Sequence, residues 1–382
     1  MRKLLSLLLT MSLLLCVGCG KKETPKKEEA EPDSSVRLSA VGDIFLTDAV
    51  LRSANADFTA LFSEVTNELS AADLTIGNLE GTLAGAPYGA AEENYPDAFA
   101  DALYEAGFDI LQTANSCSVQ RGLAGLQRTI SVLQEAGIAA AGTYASAEAR
   151  QSAPVLIREV NGIRIAFVAF TKGVGGMSLP QSADWCVNLL YSDYTDRYSS
   201  INTSAIREIM RAARAEDPDI IVASVHWGSE NATEISSSQS AIADLLIEEG
   251  ADVILGSHSH TVCPIERRSV NVSGAKKEVV IAYGLGDFCD AEAGAVNFSL
   301  ILNVEFRRDG QTGRTMLSQV DYTPIATADY GKDSAVRYRV FGVKAAIERY
   351  RSNYFDRVSK DIYDVLEKGM ERLSRSTDPD AQ

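Results

Sequence analysis

"QSAIADLLIEEGADVILGSHSH", residues 239 to 260, joins a helical pattern to an apolar strand and ends on two of the three histidines in the chain. Gln239 to Gly250 reads as a helix, and Ala251 to Gly256 as the strand after it. Neutral imidazole is the commonest side-chain metal ligand. Residues i and i+2 of an extended segment point to the same side. His258 and His260 are therefore expected to aim at one centre, with Ser259 facing away.

The same unit recurs along the chain. "VRLSAVGDIFL" (36–46), "LTIGNLEG" (74–81), "DILQTANS" (109–116), "IRIAFVAF" (163–170), "DIIVASVHWG" (219–228), "KEVVIAYGLGDF" (277–288) and "NFSLILNVEFRRDG" (297–310) read as strands. "FTALFSEVTNELSAAD" (58–73), "AFADALYEAGF" (98–108), "GLAGLQRTISVLQEAG" (122–137) and "TSAIREIMRAARAED" (203–217) read as helices, two of them stopped by Gly107 and Gly137. Strands alternating with helices mark an α/β fold. Ligands of such folds bind beyond the carboxyl ends of the strands. There the polar residues gather: Asp43, Asn78, Glu80, Asn115, His226, His258, His260 and Asp287. Helix capping accounts for Asp and Asn at these turns but not for His. Carboxylates mixed with imidazoles suit Mn²⁺, Fe²⁺ or Zn²⁺ better than Mg²⁺ or Ca²⁺. Two such ions bind a phosphate-like oxyanion and activate a water.

Composition narrows the function. The formal net charge of −16 argues against nucleic-acid or non-specific anionic-membrane binding, but not against an anionic substrate held through a cation. At 46% hydrophobic, the 382-residue chain has material for a large core. Residues 1–19 pair a basic start, Arg2 and Lys3, with a short apolar run ending in "CVGCGKK". This resembles a bacterial lipoprotein signal with Cys19 as the lipidated residue; an ordinary secretory signal is the alternative. Both predict export, and the first a lipid anchor on the outer face of the cytoplasmic membrane. Residues 20–36, charged and poor in apolar side chains, are expected to be a disordered tether. The main domain is assigned to 37–330. Residues 331–382 are expected to form a helical extension, with one or two amphipathic helices within 341–374.

The order of "AVGDIFL", "GNLEG", "AGFDILQTANS", "SVHWGSE", "ADVILGSHSHTVCPIE" and "YGLGDF" resembles the bacterial capsule-synthesis CapA family, associated with poly-γ-glutamate capsules and related to calcineurin-like metallophosphoesterases. The resemblance covers about residues 37 to 330. It implies a four-layer α-β-β-α sandwich with a dinuclear site, and metal-ligand roles for Asp43, Glu80, His226, His258 and His260. Asn78 would join them as a ligand or orient Glu80. Trp227 would wall the site or pack the strand end, and Glu230 would bind substrate or sit on a solvated loop. Asn115 and Asp287 are further candidates for contact with metal or substrate. The implied partners are a phosphoester or cell-surface polymer and membrane proteins of the capsule machinery.

The chain also departs from that pattern. Ser116 and Cys117 stand where the family has Asn and His, and Gln120 and Arg121 replace an Asp-Tyr pair. A thiol with an ordinary pKa near 8.5 is not an equivalent acid. Cys117 is expected to bridge Cys263 or Cys289, to join the metal shell, or to fill buried apolar space. Three functions follow from the sequence: an exported metal-dependent hydrolase, a degenerate relative that binds polymer, metal or an envelope partner without turnover, or a plain solute-binding lipoprotein. The last leaves the histidines unexplained.

Overall fold

The structure, a computed structural model, describes residues 32–54, 57–91, 93–272, 275–291, 295–353 and 358–377. The signal segment, Cys19 and most of the tether lie outside them. The strands are β1 (Ser34–Ile44), β2 (Leu74–Leu79), β3 (Ile110–Gln112), β4 (Ala139–Ala141), β5 (Leu156–Val160), β6 (Ile163–Thr171), β7 (Ile220–His226), β8 (Val253–Ser257), β9 (Ile265–Val272), β10 (Ala275–Ala282), β11 (Val296–Arg308), β12 (Thr315–Asp329) and β13 (Tyr338–Gly342). The helices are α1 (Asp48–Ser53), α2 (Thr59–Phe62), α3 (Thr66–Leu69), α4 (Asp97–Ala106), α5 (Gly122–Ala136), α6 (Ala147–Ser152), α7 (Thr203–Ala215), α8 (Ser237–Glu248), α9 (Val343–Arg351) and α10 (Lys360–Thr377).

Two sheets result. One has seven strands in the order β13-β12-β11-β1-β2-β3-β4, the other six in the order β5-β6-β7-β8-β10-β9. Strands β1 to β4 run parallel, as do β6, β7, β8 and β10. Alternation along each strand divides the core. Leu38 and Ile76 of the first sheet meet Ile165, Val222 and Val280 of the second in one cluster. Ile44 and Leu79 pack outward against Phe99 and Leu103 of α4 and Leu133 of α5. On the far side Val168, Ala223 and Ile254 pack against Ile206 and Met210 of α7 and Ile242 and Leu246 of α8. The layering is α-β-β-α, as the family resemblance implies. Each of these buried aliphatic side chains contributes about 1.5–3 kcal/mol relative to exposure.

Gly107 and Gly137 end α4 and α5 in the left-handed region, with φ of 107° and 93°. Elsewhere the structure revises the expectation. Residues 34–36, assigned to the tether, pair with β11, where Ser34 faces Arg308 and Val36 faces Phe306. The helix expected over 58–73 is two separate turns, α2 and α3. Ser63 and Thr66 donate their hydroxyls to the carbonyls of Ala60 and Phe62, local bonds of the kind that compete with a continuous helix. The segment from 331 begins with β13, which pairs with Ile325–Asp329 of β12 and so belongs to the sheet. Helices α9 and α10 follow it. Among the described residues no helix is long and apolar enough to cross a membrane.

Candidate metal centre

Asp43, at the end of β1, is buried and held from three directions. Asn78 Nδ2 donates to its Oδ1 at 2.7 Å, and the backbone N–H of His258 donates to its Oδ2 at 3.0 Å. Its own N–H donates to Gly286 O at 3.0 Å, which locks β1 to the loop after β10. That approach requires a glycine: a Cβ on Gly42 would sit 2.0 Å from Gly286 O. Asn115 Nδ2 in turn donates to Asn78 Oδ1 at 3.0 Å and to Leu79 O at 2.6 Å. Asn78 thus orients Asp43, not Glu80, and Asn115 orients Asn78.

Glu80 follows β2 directly. Its Oε1 accepts from Ser116 Oγ at 2.7 Å and lies 3.0 Å from His226 Nε2. His226 is the last residue of β7 and fully buried, with Nδ1 3.5 Å from Thr171 Oγ1. The other two histidines follow β8, but not on an extended segment. His258 and His260 have φ of 88° and 55°, in the left-handed region. A tight loop, not strand alternation, turns both rings inward, with centroids 6.2 Å apart, while His258 and His226 are 4.4 Å apart. Ser259 is buried as well and donates to Thr261 O at 3.0 Å. His260 Nδ1 contacts Asp287 Oδ1 at 2.8 Å, and Phe45 meets the ring edge-on at 5.4 Å.

Ligand-capable atoms of Glu80, His226 and His258 lie within 4.8 Å of one another, as do those of Asp43, Glu80 and His260 and those of Glu230, His258 and His260. All five residues expected as ligands are therefore together. Glu230 is exposed on the loop beside them. Trp227 is outside the centre: it stacks on Tyr283 at 5.6 Å and donates Nε1–H to Tyr283 O at 3.1 Å, packing the strand end. Cys117, Cys186, Cys263 and Cys289 are all free and buried, so the expected bridge from Cys117 is absent. Burial, then Glu80 and Glu93, push the Cys117 thiol well above its usual range. It is a protonated wall residue, while Ser116 beside it holds Glu80.

The donor set fits a divalent cation. Glu80 Oε2 and His258 Nδ1 are buried without a hydrogen-bond partner among the described residues, a costly state unless something is bound there. Burial, reinforced by Glu80, pushes the Asp43 carboxyl up to about 7. Burial opposes a charged His260, but Asp287, Asp43 and Glu80 outweigh it and raise the ring to about 10. Burial and the neighbouring His226 depress His258 to about 3, leaving it a neutral ligand. The carboxylates therefore call for positive charge, which a cation supplies. A cavity of about 540 Å³ opens onto the centre, lined by Phe45, Arg52, Glu80, Tyr95, Glu230 and His260.

Lys172 is a residue the sequence reading missed. It follows β6, whose last residue, Thr171, pairs with His226. Its position at a strand end, the rule that found the histidines, was the available signal.

Carboxylates from one sheet and imidazoles from the other, meeting at the carboxyl ends of parallel strands, define an α-β-β-α sandwich with a candidate cation centre between its sheets. The chain belongs to the bacterial capsule synthesis protein PGA_cap family, whose model matches residues 37–292. It is similar to the PGA biosynthesis protein CapA of Bacillus subtilis (strain 168), 27% identical over 333 residues that cover 82% of this chain and 79% of that protein. The capsule biosynthesis protein CapA of Bacillus anthracis is 24% identical over 294 residues, covering 74% of this chain and 66% of that one. Among solved structures, calcineurin-like phosphoesterase YfkN from Bacillus subtilis superposes with a TM-score of 0.44 at 14% identity, covering 88% of this chain and 100% of that chain.

Proposed function

We propose that the protein is an exported, divalent-metal-dependent hydrolase of the cell envelope, acting on a phosphoester or on an amide of a cell-surface polymer. One observation carries this reading: two partnerless buried donors, Glu80 Oε2 and His258 Nδ1, sit in a cluster whose other members are tightly positioned. Asp43, Glu80, His226, His258 and His260 would hold the metal, with Mn, Fe or Zn suited to this nitrogen and oxygen set. When bound, such a cation supplies Lewis acidity toward a phosphoryl or carbonyl oxygen. The chain's own contribution is orientation. Asn115 fixes Asn78, Asn78 fixes Asp43, Ser116 fixes Glu80, and Asp287 fixes His260. Such outer partners hold ligand geometry against thermal drift. Arg52, at the cavity wall, offers a cation to an anionic substrate. The relatives in Bacillus, a PGA biosynthesis protein and a capsule biosynthesis protein, support an envelope setting, with capsule-machinery membrane proteins as partners. A lipid anchor at Cys19 rests on "CVGCGKK" in the sequence.

A second reading, binding without turnover, is favoured by Cys117. By family resemblance it stands at a histidine position, and as a buried protonated thiol it is a poor acid. One experiment separates the two: metal analysis of the purified protein, followed by assay on a generic phosphodiester and comparison with Glu80→Gln. Stoichiometric Mn, Fe or Zn is expected, with hydrolysis that falls in Glu80→Gln by more than the ~10–100-fold cost of losing an outer hydrogen-bond partner. Metal without hydrolysis selects the binding reading. Protein that takes up no metal overturns the hydrolase reading.

A further inference from the structure

Lys172 brings a resident cation to the edge of the centre. Its backbone N–H donates to His226 O at 2.8 Å, so the residue is fixed relative to a candidate ligand. The half-buried side chain is held on three sides. Nζ donates to Gly228 O at 2.6 Å, lies 4.4 Å from the centre of the Tyr198 ring, and approaches His258 Nε2 at 3.4 Å. An ammonium has donors and no acceptor. Its contact with Nε2 therefore uses the lone pair of that nitrogen, which places the ring proton of neutral His258 on Nδ1.

Ligation conflicts with that arrangement through either nitrogen. A cation at Nε2 needs the lone pair that faces Lys172. A cation at Nδ1 needs the proton moved to Nε2, where it would point at the ammonium. In both cases the Lys172 contact is lost, and a divalent ion is left within a few Å of a like charge. Asp43, Glu80 and His260 make no contact with Lys172 among their hydrogen bonds and ion pairs given above. Of the three overlapping ligand groups, the one of Asp43, Glu80 and His260 is thus set apart from the two that include His258.

We propose that Lys172 is an internal competitor for cation binding at the His258 side of the centre. It makes the Glu80–His226–His258 position the weaker of two and the Asp43–Glu80–His260 position the first to fill. The inference rests on the metal-centre reading and adds to it an order of loading set by one side chain.

Isothermal titration of the metal-free protein with Mn²⁺ tests it, on wild type and on Lys172→Met, Lys172→Gln and Lys172→Arg. Wild type is expected to bind in two unequal steps. Lys172→Met should tighten the weaker step roughly tenfold or more, the change expected when a charge a few Å away is removed. Lys172→Gln, which keeps a donor for Gly228 O, should do the same and serves if the methionine variant fails to fold. Lys172→Arg should behave as wild type. Equal or weaker Mn²⁺ binding in the neutral variants overturns the inference while leaving the metal centre standing. No uptake by wild type or variants overturns both, and tightening of the stronger step alone overturns the assignment of Lys172 to the His258 side.

Discussion

At the scale of single residues the candidate centre combines the expected ligands with the groups that hold them, and the sequence marks the positions of both but not who holds whom. Asp43, Glu80, His226, His258 and His260 stood out because they are chemically distinctive and end strands. Asn78 was placed beside Glu80 because it is close in sequence. Its side chain crosses instead to the neighbouring strand, where Asp43 is paired with it across the parallel ladder. Inter-strand register is not written in either strand alone. The positive φ of His258 and His260 was equally hidden, since histidine rarely adopts it and nothing in "GSHSH" announces it. Asn78→Ala removes the donor at 2.7 Å and leaves the buried Asp43 Oδ1 with only the longer bond, 3.3 Å, from the His258 N–H. It should destabilise the metal-free protein by ~1–3 kcal/mol, measured by urea denaturation. It should also weaken Mn²⁺ binding ~10–100-fold. Unchanged affinity would show that the backbone N–H of His258 suffices to hold Asp43.

Whole elements were readable where local patterns carried them. The parallel strands are short and apolar, and α4 and α5 end on glycines. Strand β12 was missed because polar residues interrupt its half-buried first half and because it contains Pro324. The proline faces Leu300 of β11, one residue before the pairing with β13 begins at Ile325, so no ladder partner is needed on its other side. The amphipathic C-terminal stretch was recognised as helical, and Leu366 and Leu373 dock it as that pattern expects, but one further contact is reported by no periodicity. Gly369 in α10 lies against the ring of Phe298 in β11, and a Cβ there would be 2.0 Å from the ring. The same helix helps line a cavity of about 410 Å³ that His260 and Asp287 also border. Gly369→Leu is expected to push α10 off the sheet, cost ~1–3 kcal/mol, and expose the C-terminal segment to limited proteolysis. No candidate ligand lies on α10, so metal content should stay at the wild-type level. A variant that loses metal as well would mean that the helix supports the centre through His260 and Asp287.

Over the whole molecule, the two sheets share an apolar core, and the centre joins them again at one edge through polar groups. The sequence foresaw the α/β class and the clustering at strand ends, and family resemblance supplied the four layers. Which sheet each strand joins comes from contacts far apart in the chain, such as the antiparallel pairing of Val36 in β1 with Phe306 in β11. Asp43 and Glu80 extend from the seven-stranded sheet, His226, His258 and His260 from the six-stranded one. Without a cation, this edge of the sandwich gathers carboxylates, and burial, reinforced by repulsion from Glu80, raises Asp43. A cation bound there would relieve that repulsion and tie the sheets together in the folded state only. Linkage then requires stabilisation of about 2.7 kcal/mol at one hundred times the dissociation constant. For a chain of this size that is a rise in melting temperature of a few degrees. Differential scanning fluorimetry with and without Mn²⁺ should show the rise, a chelator should reverse it, and Asp43→Asn should remove most of it. The unfolded chain lacks the assembled centre, so the stabilisation depends only on how tightly the folded state binds the cation. A melting temperature indifferent to Mn²⁺ would therefore refute cation binding at the centre.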